Sequence, residues 1–459
     1  MENTKEAQLQ ERIGRRLIFF PLPLQGHITP MLQLANILHS KGFSITIVHT
    51  NLNSPNPANY PHFTFYHIHD GLSETDQEAS KTDILSLLSL LNVKCVEPFK
   101  QALAELLADN SGDPSACLVS DAILHFTSAV CKSLEIPRIA LRTGGVCSFL
   151  AFAAFPLLLE KGYLPLQDDR LEDPVMELAP LRVKDLPAIK TSNPENLYEL
   201  LQGMIQETKA SSGLIFNSFQ QLEELALSKL DQDFGIPIFP IGPFHKHFTT
   251  SSSSLIPEDH SSISWLDKQA FNSVIYVSFG SIAAIQEKDF LEVAWGLANS
   301  KHPFLWVVRP GLIHGADWLE PLPENYLEML NGRGNIVKWA PQLEVLSHPS
   351  VGAFWTHCGW NSTLESICEG VPMICSPCFT DQFVNARYVS HVWRIGLQLE
   401  NGFSREKIEM AIKMIMEKKQ GGEFRERALD LKEKANLCLK PGGSSCESLQ
   451  SLVNYISLF

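Results

Sequence analysis

What the chain has little of narrows it first. Basic residues are outnumbered, 37 Lys and Arg against 51 Asp and Glu, for a net charge of −14. Proteins that grip nucleic-acid backbone carry the opposite balance, so no nucleic-acid partner is expected. No apolar run reaches the ~20 residues of a membrane-spanning helix. The longest nearly uncharged stretch, 144–159, is broken by Pro156 and reads as a buried helix. Residues 1–12 are polar and charged and lack the apolar segment of a secretory signal. The 10 cysteines show no framework spacing, as in a reducing cytoplasm. One C-x-x-C, Cys375 to Cys378, has no second pair to complete a zinc site. Tryptophan is missing before Trp265. Glycine is scarce after the first apolar run, where Gly26 stands alone. A nicotinamide oxidoreductase would want Gly-x-Gly-x-x-Gly there.

What remains is ample for a core. The chain has 459 residues, 44% apolar and 19% charged, which suits two or three globular domains. Segments 17–22, 43–49, 116–120, 138–143 and 213–218 read as strands, and 62–68 as extended. Helical spacing marks 28–39, 83–107, 124–134 and 219–230. The second half repeats the alternation, with strands 273–279, 304–309, 335–339 and 351–356. Helices cover 288–299 and follow from Asp381, Ser404, Glu423 and about Glu447. Such alternation implies βαβ units with right-handed crossovers, hence doubly wound parallel sheets. Residues 159–212 have weak periodicity and several prolines, and read as loops and short helices over a cleft. The polar run 245–262 reads as a linker.

In open α/β sheets ligands bind beyond the carboxyl ends of strands. Two places there carry chemistry. His27 follows the first strand and Asp121 follows strand 116–120, at the same edge of one sheet. A carboxylate beside an imidazole fixes its tautomer and stabilises the imidazolium. Each residue also has a plain reading, His27 as a polar residue opening a helix and Asp121 as a helix cap. The second place is the turn 357–361 between strand 351–356 and a helix ending near Gly370. Free N–H groups and the positive end of the helix dipole make an anion site. His357, Asn361 and Ser362 add side-chain donors, with no lysine. Against this, Ser362-x-x-Glu365 has the form of a capping box, and Asn361 that of an N-cap.

That turn lies in a 44-residue stretch, Trp339 to Gln382, reading WAPQLEVLSHPSVGAFWTHCGWNSTLESICEGVPMICSPCFTDQ. It resembles, without a gap, the signature box of plant family-1 UDP-glycosyltransferases. The likeness extends to Gln25-Gly26-His27 and Ser120-Asp121-Ala122, over nearly the full chain. It implies a GT-B fold, two Rossmann-like doubly wound domains facing across a cleft. Their bounds would be 1–244 for the acceptor domain, 245–262 for the linker and 263–445 for the donor domain. A last helix, 446–459, would pack back on the first domain.

The resemblance implies His27 as general base with Asp121 as its partner, and inversion of UDP-glucose to a β-glucoside or glucose ester. It implies Trp339 stacked on uracil and the Ala340 backbone at its edge, with Gln342 and Glu365 along the ribose. Asn361, Ser362, His357 and Ser281 would hold the phosphates. Trp360, Asp381 and Gln382 would bind the sugar, with Thr143 at its 6-hydroxyl. Trp339 as plain core and Asp381 as an N-cap are the ordinary alternatives. No cofactor and no metal are implied, UDP-glucose being a co-substrate, and a cytoplasmic monomer is expected. Within the family the chain is most similar to the group acting on small hydroxy acids, phenolic acids such as salicylate, cytokinins and diterpenoids. The acceptor pocket is expected from 70–82, 142–150 and the weakly patterned middle. A UDP-sugar epimerase or hydrolase, or a non-catalytic UDP-sugar binder, would share the plan. The first would release free sugar or epimer in place of a conjugate, and the second would not turn over.

Overall fold

The computed structural model describes residues 14–76, 83–109, 112–187, 189, 191, 193–248, 254–417 and 419–459. The polar start 1–12, part of the expected pocket loop (77–82) and the Thr-Ser run 249–253 lie outside the described residues.

Among the described residues, thirteen strands build two sheets. The first holds β1 (Arg16–Phe20), β2 (Ser44–His49), β3 (Thr64–His67), β4 (Ser115–Asp121), β5 (Arg138–Arg142), β6 (Gly213–Phe216) and β7 (Ile238–Pro240). The second holds β8 (Val274–Ser278), β9 (Phe304–Val307), β10 (Gly334–Val337), β11 (Val351–Thr356), β12 (Met373–Cys375) and β13 (Gly396–Gln398). Strand pairs such as β1–β2 and β8–β11 are parallel. Their central strands are apolar throughout and buried, as sheets covered by helices on both faces require. Spatial order is β3-β2-β1-β4-β5-β6-β7 in one and β10-β9-β8-β11-β12-β13 in the other. The order therefore reverses between β1 and β4, and again between β8 and β11. At each reversal the crossovers leave in opposite directions and open a crevice at the strands' carboxyl ends.

The elements match the expected alternation, with local differences. The expected helix 83–107 is two helices, Ile84–Lys94 and Val96–Ala108, meeting at Cys95. The stretch 144–159 is also two, Val146–Ala153 and Phe155–Glu160, with Pro156 in the second's first turn, where a missing N–H costs little. The middle is more regular than expected: Pro194–Lys209 is a 16-residue helix. Asn193 caps it by accepting from Asn196 N, and Leu197, Leu200, Leu201 and Met204 form its buried stripe.

The two sheets are tied together at several points. The last helix, Ser444–Ile456, puts Leu449, Leu452, Val453 and Ile456 into the first sheet's core beside Leu17 and Phe239. Tyr455 donates to Ser212 O at 2.7 Å. Elsewhere Arg182 and Lys184 both meet Glu400, each at 2.9 Å. Among the described residues no helix is long and apolar enough to cross a membrane.

Candidate active site

A cavity of about 1010 Å³ lies between the carboxyl edges of the two sheets and is lined from both. On the first sheet's side, the helix Gln25–His39 starts just after β1 and carries His27 in its first turn. Asp121 ends β4, the neighbouring strand. His27 Nδ1 lies 2.7 Å from Asp121 Oδ2. Asp121 is fully buried, and its other oxygen accepts from Ile123 N at 3.0 Å. An ionised carboxylate can only accept, so Nδ1 carries the proton and Nε2 is left as the basic nitrogen. The plain readings of both residues, polar opener and helix cap, do not account for this pair. Thr143, expected at a sugar hydroxyl, places Oγ1 2.9 Å from the same Nδ1. With Nδ1–H directed at Asp121, Thr143 Oγ1 shares that one N–H as a second acceptor.

Across the cavity, β11 runs into the turn and the helix Trp360–Glu369. The N-cap is Gly359, and no side chain caps this end. Asn361 and Ser362 lie inside the first turn, so neither the N-cap nor the capping-box reading holds, and the first-turn N–H groups stay available to a ligand. His357 sits between two glycines. A Cβ on Gly280 or on Gly359 would come within 2.5 Å of its ring. Burial pushes the imidazole down to about 4, with a hydrogen bond to the Ser278 backbone working the other way, so at neutral pH it carries no charge. Its Nδ1 is buried without a hydrogen-bond partner. Ser281 follows Gly280 at the same reversal of strand order and lines the cavity.

Trp339 is half-buried, packing on the second sheet's core while lining the cavity, and Ala340 beside it is buried. A purely internal tryptophan would line nothing. Gln342 donates to Ser362 Oγ at 2.9 Å and to Glu365 Oε2 at 2.7 Å, and Tyr276 donates to Gln342 Oε1 at 3.2 Å. This chain orients Glu365, whose carboxyl burial raises to about 7, with the Gln342 bond working the other way.

The residues expected at the sugar are placed with constraints. Trp360 donates its indole N–H to Asn217 O at 2.8 Å, and its ring would meet a Cβ on Gly145 at 2.8 Å. Its ring is therefore a wedge between the halves, and only its backbone N–H is left to give. Gln382 accepts from Cys378 N and Phe379 N at 2.8 and 3.2 Å, leaving its amide NH₂ as the group to offer. Asp381 opens the helix Asp381–Arg387, held by Thr380 Oγ1 at 2.8 Å and Asn385 Nδ2 at 3.1 Å. Thr380 takes φ 55°, ψ −131°, a strained backbone for a β-branched residue, of the kind that gathers at functional sites.

The acceptor side differs from expectation in part. Arg142, Thr143, Gly144 and Phe152 line the cavity, as do Leu197, Leu200, Leu201 and Met204 of the unexpected helix. None of the described residues 70–76 does; Ile84 and Leu88 take that place. Sequence reasoning also passed over Glu223, which accepts from Val146 N and Cys147 N at 3.0 and 2.9 Å and so fixes the loop carrying Thr143. It missed His245 as well, a cavity residue that burial keeps neutral, down to about 3. Its position inside a polar run disguised it. Among the described residues no group of three His, Cys, Asp or Glu is placed to hold a metal ion.

Comparison with known proteins agrees with this geometry. The family described as "UDP-glucoronosyl and UDP-glucosyl transferase" matches residues 59–432. The chain is 52% identical to UDP-glycosyltransferase 76B1 of Arabidopsis thaliana over 452 residues, 98% of this chain and 100% of that protein. It is 48% identical to UDP-glycosyltransferase 76G1 of Stevia rebaudiana, with 100% of both covered. Among solved structures it is similar to UDP-glucose: anthocyanidin 3-O-glucosyltransferase in complex with UDP, at a TM-score of 0.85 and 25% identity over 98% of this chain and 100% of that one. It is also similar to a UDP-glucosyltransferase from Polygonum tinctorium capable of glucosylating indoxyl, at a TM-score of 0.83 and 30% identity over 96% and 98%. Two parallel-sheet domains flanking a cleft, an uncapped helix N-terminus with His357 beside it, and these likenesses agree: the chain has the GT-B fold and belongs to the plant family-1 UDP-glycosyltransferases.

Proposed function

We propose that the enzyme transfers glucose from UDP-glucose to a small plant metabolite with inversion, using His27 as general base and Asp121 as its partner. One observation carries the reading: the 2.7 Å contact of His27 Nδ1 with Asp121, on the cavity wall opposite the uncapped helix N-terminus. His27 Nε2 takes the proton of the acceptor hydroxyl. That oxygen bonds to the anomeric carbon from the face opposite UDP. The bond from the same carbon to the β-phosphate oxygen breaks, its electron pair leaving with UDP. One displacement turns the α-linked donor into a β-glucoside, or a glucose ester where a carboxyl oxygen attacks. Charge on the leaving group falls to donors already in place: the first-turn N–H groups at 360–362, His357 and Ser281. Trp339 stacks on uracil, Glu365 accepts from the ribose, and Asp381 with Gln382 takes the sugar hydroxyls.

In this proposal the transfer needs no cofactor and no divalent metal, and the protein works as a cytoplasmic monomer. Its ten cysteines, free thiols of which eight are buried, suit a reducing compartment. The test is incubation with UDP-glucose and plant metabolite extract. Mass spectrometry reads the gain of a hexose, and proton NMR reads the anomer. A β-linked conjugate is expected. Free glucose or an epimerised nucleotide sugar in its place would mark a hydrolase or epimerase.

A further inference from the structure

Arg309 follows β9 by two residues, is 8% exposed, and stands behind the cavity wall rather than on it. Its guanidinium bonds three main-chain carbonyls. Nε donates to Gly280 O at 3.1 Å, Nη1 to Pro310 O at 3.0 Å, and Nη2 to Ala283 O. Two of the three belong to the turn 280–283 that follows β8, and from that turn Gly280, Ser281 and Ile282 line the cavity. Just beyond it, Ile285 N donates to Leu312 O at 2.8 Å and ties the two loops together again. Burial lowers the Arg309 pKa, and among the described residues no carboxylate acts on it. Arginine stays charged through such a shift. It is thus a buried cation whose bonded partners, among the described residues, are carbonyls.

A trans peptide holds its C=O and N–H in opposite directions. With the Gly280 carbonyl drawn back to Arg309, the Ser281 N–H points away from the guanidinium. Among the described residues neither Ser281 N–H nor Ile282 N–H is taken by a backbone carbonyl. Gly280 takes φ 73°, and a Cβ there would meet the His357 ring. The turn is therefore pressed against the anion site on one side and held by Arg309 on the other. Successive N–H groups left open at a turn make an anion-binding concavity. Donors fixed in advance need no rearrangement as charge develops on a leaving group. Three carbonyls in different directions suit the planar fork of arginine, not the single nitrogen of lysine.

We propose that Arg309 is a positioning residue of the donor site, setting the turn 280–283 so that the N–H and hydroxyl of Ser281 meet the phosphate that leaves with UDP. The inference rests on the UDP-sugar reading of the cleft and on no contact between Arg309 and the ligand. It also brings a fixed positive charge to a pyrophosphate site whose other turn, 357–362, holds no lysine.

The test titrates UDP and uridine, followed by tryptophan fluorescence, into the wild type, Arg309→Lys, Arg309→Met, Ser281→Ala and the double variant of the last two, each with a thermal melt. Uridine carries the base and ribose without phosphate. Arg309→Met is expected to bind UDP about 10- to 150-fold more weakly, the worth of hydrogen bonding to a charged group, and to bind uridine as the wild type does. Arg309→Lys, which keeps the charge without the fork, should fall between. Ser281→Ala should weaken UDP and spare uridine, and in the Arg309→Met background it should cost little more. Unchanged UDP affinity in Arg309→Met, equal weakening of UDP and uridine, or additive losses in the double variant overturn the proposal. So does wild-type UDP affinity in Ser281→Ala, an outcome that needs no change at Arg309 and stands even if Arg309→Met fails to fold. A wild type that binds UDP no more tightly than uridine defeats instead the reading on which the inference rests, because no phosphate site is then present.

Discussion

Asn361 donates its side-chain amide to the backbone carbonyl of Gly26, 2.9 Å away across the cleft. Proline explains why that carbonyl is free. Gly26 is four residues before Pro30, which lies inside the helix Gln25–His39 and has no N–H to give back to it. Within this helix, the missing hydrogen bond becomes a docking point for the other half. The contact uses one of the two N–H groups on Asn361 Nδ2, and Oδ1 stays buried and unpartnered.

This pairing makes a thermodynamic prediction. Asn361→Ala leaves a part-buried carbonyl unpaired, at up to about 1–3 kcal/mol. In a Pro30→Ala background the restored helix N–H supplies the partner. Thermal melts of the two single variants and the double variant should show coupling of about 1 kcal/mol, the double variant being more stable than additivity requires. Additive effects would mean that Pro30 and Asn361 do not share the Gly26 carbonyl.

Glu365 makes the nucleotide site pH-dependent. Folding raises its carboxyl from 4.5 to about 7, chiefly by burial. The folded chain holds this proton longer than the unfolded one, so the group's contribution to stability is full below about 4.5 and is lost as pH rises through about 7. Ribose hydroxyls that donate to the carboxylate favour its ionised form. UDP affinity is therefore expected to rise from pH 6 to pH 8, with proton release on binding near pH 6. Calorimetry in two buffers of different ionisation enthalpy reads that release. Glu365→Gln should flatten the profile; a flat profile in the wild type would remove Glu365 from the ribose.

Trp339 can be tested without any acceptor. All 8 tryptophans lie at or after Trp265, so fluorescence reports the donor half. UDP is expected to quench it. Stacking on a base is worth roughly 1–3 kcal/mol, so Trp339→Ala should bind UDP about 5- to 150-fold more weakly. Trp360→Ala, which removes a wedge between halves but keeps the backbone N–H, should cost folding stability. A destabilised Trp339→Ala protein with unchanged UDP affinity would refute the stacking.

Metal independence has its own test. The pyrophosphate is expected to be held by backbone N–H groups at 360–362, His357 and Ser281, so turnover should survive excess EDTA. Loss of activity that Mg²⁺ or Mn²⁺ restores would contradict that assignment.

Much of this site was legible, and what was hidden has physical reasons. His27 and Asp121 were both readable as residues at the carboxyl edge of one sheet. Their contact was not, because it depends on β1 pairing with β4, a neighbour brought in from 94 residues away. The turn 357–361 was placed correctly, but its helix starts at Trp360, with Gly359 as the cap. Local signals favoured Ser362 and Asn361, whose side chains tertiary contacts claim instead. The helix Pro194–Lys209 carried its own start signal, Asn193-Pro194, and an apolar stripe, which the prolines on its N-terminal side obscured. Strands β12 and β13, three residues each, exist through pairing with β11 and with each other.

The central claim is that His27 removes the acceptor proton. His27→Ala is measured for UDP binding by fluorescence and for glucosyl transfer to a hydroxyl acceptor from UDP-glucose, beside the wild type and Asp121→Asn. UDP affinity is expected to hold while transfer falls by ~10²–10⁴-fold, the usual worth of a general base, with Asp121→Asn equal or milder because it orients the ring. Near-wild-type transfer by His27→Ala would contradict the account.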